Sequence, residues 1–527
     1  MHFRVRQGAG EKRTEPYMKY GEGVSEPATP HGAKSTGSVP GFARQQDSAM
    51  QKVRTRFAPS PTGYLHVGGI RTALFAWLVA RQNDGVFVLR LEDTDKNREV
   101  EGSAQHIIDS LAALGLDYDE GINKDGEFGP YRQSERLEHY KKWAHKLIES
   151  GRAYWDVSSP EDVNKLRQQD VANHRPFLFR NYRPGETPKG DFFGKYPLRF
   201  RSDPKEYRWH DEVMGDLHTG PEVIDDFILI KSDGYPTYNF AHIIDDHEME
   251  ISHVIRGQEF IASQPNYLNL YEALEIERPK IATVPHILGP DGRKKLSKRD
   301  GAKDVLDYIK QGFLPEALVS FIATLGWNDG TEQEIFTREE LIQKFSLERV
   351  QKSGAKFDEQ RLTWINGHFI RALPLKELYE KVKDFWPKEA ENADEDYKKS
   401  VLKLVSERLK FFTELPDLTK FFFIDLPVNP SLIENNKQLK NLEPEELKQL
   451  LEAARDSLDQ SSFSAEDLTE RLNKLLGQTN QKPAVLFSLI RIATTQAPAS
   501  PGLAETLNVL GKETSMRRID QQLASWN

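Results

Sequence analysis

The sequence predicts an α/β chain: a doubly wound parallel-sheet domain that carries an inserted α+β domain and is followed by an all-α C-terminal region. Three observations predict it. A strand, a loop, a helix and a second strand succeed one another over residues 53–91, and such a unit closes with the right-handed crossover of a parallel sheet. A polar, Pro- and Arg-rich stretch then breaks the pattern between 131 and 222. From about 374 the apolar residues recur with helical period.

Residues 1–52 are expected to form a disordered tail, since they hold many Gly and Pro, few apolar residues and no amphipathic period. They lack the apolar core of a signal peptide. Arg4, Arg6, Lys12 and Arg13 leave a mitochondrial presequence as an alternative. Glu11, Glu15, Glu22 and Glu26 count against it, because such presequences are poor in acids. Met50 stands just before the first ordered segment, so a start-site artefact is the other reading.

Val53-Arg54-Thr55-Arg56-Phe57 alternates like a strand. Pro59, Pro61 and Gly63 enforce a loop, and Gly68-Gly69 opens a helix with Ala73, Leu74, Trp77 and Leu78 on one face. Val86 to Leu91 is a near-continuous apolar run, the mark of a buried parallel strand. Together these residues, 53–130, make the first half of a Rossmann-type domain. The insertion at 131–222 begins with a helix capped by Ser134 that buries Leu137, Tyr140, Trp143, Ala144, Leu147 and Ile148, and Gly151 follows its end. A short strand is expected at Leu198-Arg199-Phe200. The second half, 223–290, resumes with strands at Phe227–Ile230 and Ser252–Ile255. Residues 291–373 form a further domain, and 374–527 a helical one. There Pro444 starts a helix with Leu447, Leu450, Leu451, Ala454 and Leu458 on one face. Ser464 and Asp467 have capping-box spacing, Phe463 and Leu468 could staple that turn, and Gly477 is expected to end the helix. Gly502 leads into one more short helix through Leu503, Leu507 and Leu510.

Composition excludes several classes of function. Cysteine is absent, so there is no disulfide, thiolate zinc site or cysteine nucleophile. No run approaches the ~18 apolar residues of a membrane helix; Gly289 and Pro290 cut off even the short run ending at Ile287-Leu288. The net charge of −9 signals no polyanion partner for the molecule as a whole. Such a partner would be held by local basic patches, because phosphate contacts are local.

Two segments carry chemistry. In Arg56-Phe-Ala-Pro-Ser-Pro-Thr-Gly-Tyr-Leu-His66-Val-Gly-Gly69 a strand ends, glycines open a loop and a helix begins. Amides at such a helix start attract phosphate, and His66 could donate to a phosphate oxygen. Alone, a His in this setting is an ordinary turn or cap residue. The second segment is Lys294-Lys295-Leu296-Ser297-Lys298-Arg299, after Pro290-Asp291-Gly292. Its cations could neutralise charge that develops in phosphoryl chemistry, although a lone basic run is ordinarily a solvated face or a nucleic-acid patch.

The pair resembles the two signatures of class I aminoacyl-tRNA synthetases: His66-Val-Gly-Gly69 matches the first and Lys295-Leu-Ser-Lys-Arg299 the second. Gly69 replaces the His of many class members, a variant common in the glutamyl branch. Arg71-Thr-Ala-Leu-Phe75, Leu91-Glu-Asp-Thr-Asp95, Gly129-Pro-Tyr-Arg-Gln-Ser-Glu-Arg136 and Ser232-Asp-Gly-Tyr-Pro-Thr-Tyr238 look like the glutamyl-tRNA synthetase family of bacterial type. The resemblance is dense to about 365 and looser beyond.

That resemblance implies ATP with Mg²⁺, L-glutamate and tRNA(Glu) as substrates, with tRNA(Gln) as an alternative acceptor, and a monomer in the cytoplasm. It implies a glutamate site formed by Arg56, Phe57, Ala58, Ser60, Glu92, Tyr238, Asn239, Phe240, Ala241, His242 and Arg256. Glu92 would hold the amino group and Arg256 the side-chain carboxylate. The family frequently has Asn where His242 stands. Pro61, His66, Gly68, Gly69, Glu259, Lys295, Leu296, Ser297, Lys298 and Arg299 would meet ATP. His66, Gly69, Lys295, Ser297, Lys298 and Arg299 form the catalytic set, with Lys298 nearest the reacting phosphate. Asp245-Asp246-His247 is read as structural rather than as a metal site, since magnesium ordinarily needs a carboxylate or two plus phosphates. The insertion would receive the acceptor end, with Arg175, Arg180 and Arg183 near phosphates; the zinc site some relatives carry there is ruled out without cysteine. The helical region would bind the anticodon, and Arg408 roughly aligns with a residue that reads its last base. The rivals are a glutaminyl enzyme, whose C-terminus would be a β-barrel, and a tRNA-binding paralogue without catalysis, whose ATP-site residues would be broken.

Overall fold

The protein is described from a computed structural model, which covers residues 52–296 and 303–526. The tail expected at 1–52 therefore lies almost wholly outside the described residues. The chain opens with β1 (Arg54–Phe57), α1 (Val67–Gln82), β2 (Val86–Leu89), α2 (Ser103–Ala113) and β3 (Glu120–Gly121). Every residue of β1 and β2 is buried, as strands covered on both faces require. Gly85 makes the turn between α1 and β2. A Cβ there would come within 2.3 Å of the Val53 carbonyl oxygen, so only glycine fits. The expected strand 86–91 stops at Leu89. Arg90 and Leu91 leave the ladder, their amides donating to Phe57 and Tyr131 carbonyls at 3.0 and 2.9 Å.

The insertion contains α3 (Leu137–Glu149), β4 (Ala153–Trp155), α4 (Pro160–Ala172), β5 (Leu198–Phe200), β6 (Tyr207–Asp211), β7 (Gly215–Thr219) and β8 (Ile228–Ile230). β4, β5 and β8 pair antiparallel, and β6 and β7 form a hairpin. Ser134 does not cap α3. It lies in a short 3₁₀ turn over Gln133–Glu135, and its hydroxyl and amide both donate to Asp93. The carboxylate of Asp93 outcompetes the helix end for this hydroxyl. Below that turn, Tyr140, Ala144, Leu147, Trp155 and Phe200 form one buried cluster.

The chain then returns through α5 (Tyr238–Glu248), β9 (His253–Gly257), α6 (Gln264–Leu274), β10 (Lys280–Val284) and β11 (Ile287–Leu288). The main sheet has the order β10-β9-β1-β2-β3, and all its pairings are parallel. β9 and β10 align from His253 opposite Lys280 to Gly257 opposite Val284. This is the doubly wound arrangement the sequence predicts, with the insertion between its third and fourth strands.

Beyond it come α7 (Val305–Lys310) and α8 (Pro315–Ala323), which pack into the same core as α1. β11 pairs with β12 (Ala355–Lys356). A separate apolar cluster unites helices Pro444–Asp459, Ala465–Thr479, Pro483–Thr495, Leu503–Leu510 and Lys512–Ala524. Leu447, Leu450, Leu451, Ala454 and Leu458 are buried there, as their spacing predicts. Ser464 caps its helix by accepting from the Asp467 amide, while the Asp467 carboxylate accepts from the Ser462 amide; half the predicted box forms. Gly477 does not end that helix. It continues to Thr479, and Asn480 takes the left-handed conformation instead, which Asn tolerates.

Candidate active site

The carboxyl ends of β1, β2 and β9 converge, the place where open parallel sheets bind ligands. After β1 the chain crosses Pro59, Ser60 and Pro61 and enters α1 at His66. The Nδ1 of His66 accepts from the Gly68 and Gly69 amides at 3.0 and 3.4 Å, so the side chain caps α1. That capping leaves the ring proton on Nε2, the atom that can donate outward. Gly69 packs closely: a Cβ there would stand 2.5 Å from Leu65 Cδ1. The Phe57 ring, expected at the glutamate site, is buried in the core below α1. Ala58 is half-buried and Ser60 exposed at the mouth, and Pro61 is buried. The Pro59 carbonyl accepts from the Glu92 amide at 3.0 Å, which ties the loop after β1 to the end of β2.

Beneath this mouth lies a layer of buried charge. Arg90 has no exposed surface and donates to Asp246 at 2.8 Å and to Glu92 at 3.0 Å. Arg56 donates to both oxygens of Asp246 at 3.1 and 3.4 Å and to the Ile255 carbonyl. Arg136 donates to Asp245 at 2.7 Å, and Tyr140 and Gln133 also bond Asp245. Burial works against the charge on Asp246, but Arg56 and Arg90 overcome it and hold the carboxyl at about 2. Asp245 and Asp246 are thus engaged by arginines, and no group of three or more His, Cys, Asp or Glu suited to a metal occurs among the described residues. Glu92 differs. Burial pushes its carboxyl up to about 7, a rise that Arg90 and Arg56 only partly offset.

Arg56, Arg90 and Arg136 meet Glu92, Asp245, Asp246 and the part-buried Glu248, so every cation of that layer has a carboxylate. Arg256, at the end of β9, stands outside it. It is buried, and among the described residues no carboxylate pairs with it. One Nη donates to Gln264 of α6, and its guanidinium lies 5.1 Å from the Tyr267 ring and 5.4 Å from that of Phe260. Among the described residues its Nε has no hydrogen-bond partner. Tyr238 stacks on His242 at 4.6 Å and on Phe260 at 5.2 Å. His242 donates from Nδ1 to the Tyr238 carbonyl at 2.7 Å, and burial, against the pull of Asp246, drives its pKa down to about 3. It is a neutral ring with Nε2 as an acceptor. Asn239 accepts from the Tyr267 hydroxyl at 2.7 Å. Phe240 and Ala241, expected at the glutamate site, are buried instead in the core cluster that holds Tyr140 and Leu147, with Phe240 on the face of α5 opposite Tyr238.

Glu259, just past β9, sits 3.8 Å from both His286 Nδ1 and Lys295 Nζ. Lys295 pairs with Leu288 across a tight turn, and Leu296 packs on the core. Lys295, at the start of the second segment, is thereby brought to the end of β9. Ser297, Lys298 and Arg299 lie outside the described residues. Beyond them, Asp304 pairs its backbone with His66.

Away from the site, Arg183 is spent on the buried Asp226 at 2.7 Å, and Arg175 lies 3.1 Å from Asp170. Arg180 donates to the Pro221 carbonyl at 2.7 Å. Arg408 lies close enough to Arg491 that, after burial, its charge helps lower the Arg491 pKa. Sequence reasoning missed Arg90, Gln264 and His106. Arg90 had a signal: a lone arginine closing an apolar strand must find carboxylates.

A sequence profile described as "tRNA synthetases class I (E and Q), catalytic domain" matches residues 52–364, and one described as "Anticodon binding domain" matches 377–523. The glutamate–tRNA ligase of Dehalococcoides mccartyi is 40% identical over 484 residues, 90% of this chain and 97% of its own. That of Moorella thermoacetica is 40% identical over 490 residues, 90% of this chain and 99% of its own. The crystal structure of a glutamate tRNA ligase from Elizabethkingia meningosepticum, in complex with its amino acid, superposes with a TM-score of 0.79 at 31% identity, covering 90% of this chain and 100% of that one.

Proposed function

The chain belongs to the class I tRNA synthetases of the glutamate and glutamine branch, and from that premise we infer that it is a glutamate–tRNA ligase. It activates L-glutamate with MgATP and passes it to the 3′-terminal adenosine of tRNA(Glu). The observation that carries the choice of amino acid is Arg256, a buried guanidinium between aromatic rings with no carboxylate partner among the described residues.

An acidic side chain completes that charge. Glutamine would leave it poorly paired, a loss of about 2–5 kcal/mol. Aspartate falls one methylene short, a step of ~1–3 kcal/mol. Glu92 receives the α-ammonium: Arg90 and Arg56 only partly offset the burial of its carboxylate, and an ammonium supplies the missing charge. Tyr238 and His242 wall the pocket between them.

The reaction needs no protein nucleophile. An α-carboxylate oxygen attacks the α-phosphorus, the bond to the bridging oxygen breaks, and pyrophosphate leaves. The adenylate then passes its glutamyl group to the ribose 2′-hydroxyl and AMP departs. The chain's task is in-line positioning and charge neutralisation. His66 Nε2–H, Lys298 and Arg299 carry it, with Glu259 holding Lys295. Residues 53–130 and 231–290 make the catalytic domain, 131–230 the acceptor-end domain, whose sheet takes in β8 although the sequence places the boundary at 222, 291–373 the stem-contact domain and 374–527 the anticodon domain, where Arg408 meets the anticodon. The enzyme works as a monomer in the cytoplasm.

Glutamate-dependent ATP–pyrophosphate exchange with tRNA present tests the reading. Exchange with glutamate but not glutamine is expected, and its absence in folded protein refutes it. Charging purified tRNA(Glu) and tRNA(Gln) side by side decides whether tRNA(Gln) is a second acceptor. Lys298→Ala should lower kcat and spare the glutamate KM.

A further inference from the structure

His106 lies on α2, outside both signature segments, and its ring touches both of their flanks. Nδ1 accepts from the Leu65 amide at 3.3 Å, one residue before His66. Because that nitrogen accepts, the ring proton sits on Nε2, and Nε2 meets the carboxylate of Asp304. Tyr64 stacks on the ring at 4.6 Å, and Ser110 lies within 3.5 Å of Nδ1. Asp304 is tied twice more: its backbone pairs with His66, and its other oxygen caps α7 through the Leu306 amide at 2.9 Å. The half-buried ring is therefore a side-chain link between the loop that ends in His66 and Asp304, on the chain that follows the basic segment.

We propose that His106 is a positioning residue for adenylate formation, fixing the distance between the two signature loops through Leu65 and Asp304. The inference rests on the reading that both loops serve ATP. In-line displacement needs the attacking oxygen, the phosphorus and the neutralising cations held together, and a misplacement of about 1 Å can cost as much as 100-fold in rate. A link between the loops acts on that geometry. Its contacts are Tyr64, Leu65, Ser110 and Asp304, and none of them is Arg256, Glu92, Tyr238 or His242, so it acts on turnover and spares glutamate binding.

The test is pyrophosphate exchange on three variants, with rates per folded molecule. His106→Ala removes both links. Asp304→Ser keeps the cap on α7 but cannot reach His106. His106→Gln restores a donor long enough to meet Asp304. His106→Ala and Asp304→Ser should each lower kcat about tenfold, with the glutamate KM within about twofold of wild type. The double variant should be no slower than either single, and His106→Gln should recover most of the rate. A purely structural His106 gives a lower Tm with unchanged kcat per folded molecule, and that result overturns the proposal, as do multiplicative effects of the two single changes. Should His106→Ala not fold, His106→Asn, which keeps the acceptor for Leu65 and falls short of Asp304, carries the same test. Wild-type protein that folds but shows no exchange defeats the ligase reading instead.

Discussion

Arg90 donates to Glu92 at 3.0 Å inside the protein, yet the Glu92 carboxyl still titrates near 7. Burial costs the carboxylate more than Arg90 and Arg56 return, since both cations are shared with Asp246. A pH dependence follows. Below about 7 the free enzyme holds a proton on Glu92 that an incoming ammonium must displace. Glutamate binding should tighten as pH rises from 6 to 8 and release a proton. Calorimetry in buffers of different ionisation enthalpy measures that proton, and Glu92→Gln should abolish it. The ligand-free protein also loses stability from this group between pH 4.5 and about 7, because the folded chain keeps a proton the unfolded chain gives up. A glutamate KM flat across this range would defeat the assignment.

Arg256→Ala should raise the glutamate KM by about 100-fold or more, a loss of about 2–5 kcal/mol for a buried charge pair. Arg256→Lys should recover only part of it, because an ammonium lacks the planar fork that grips a carboxylate with two bonds. Steady-state exchange at saturating ATP separates the two variants.

Asp246→Ala should destabilise the fold by about 3–5 kcal/mol, since it leaves Arg56 and Arg90 charged, buried and short of their shared acceptor. Asp246→Asn, which keeps an oxygen but not the charge, should cost less. Urea unfolding of the three proteins gives the order, and equal midpoints would mean that Asp246 is not the anchor of this layer.

Gly477→Ala should stabilise the C-terminal helices by about 0.5–1 kcal/mol. Gly477 lies inside a helix, and nothing stands within 4 Å of a Cβ built on it. Had it closed the helix in a left-handed turn, the same change would destabilise. Thermal unfolding distinguishes the signs.

Much of this architecture was legible because its causes are local. Strands β1 and β2 announce themselves by apolar residues bounded by turns, and the Pro444 helix by leucines on one face. The errors arose where a distant partner took over. The position of Ser134 predicts a cap, but Asp93 captures its hydroxyl. Gly477 predicts a stop, although a glycine far from any clash costs a helix too little to end it. Motif matching also names a stretch of chain without saying which way its side chains face. Tyr238 and His242 turn toward Arg256, while Phe240 and Ala241 of the same helix serve the core. Arg56 belongs to the site's foundation, committed to Asp246. The bond between His106 and Asp304 joins residues 198 positions apart in the chain, a pairing no local pattern encodes.

The order of the main sheet also governs how the molecule is born. β1 sits between β2, which follows it closely, and β9, whose neighbour Ser252 bonds Arg54 across 198 residues. At roughly 5–20 residues per second, translation leaves that flank of the nascent sheet uncovered for about 10–40 s. During that interval an apolar strand waits with an open edge, the state that invites mispairing and chaperone capture. Arg256 and Glu259 leave the ribosome only with β9, so the residues proposed to receive glutamate and ATP emerge together with the strand that covers that edge.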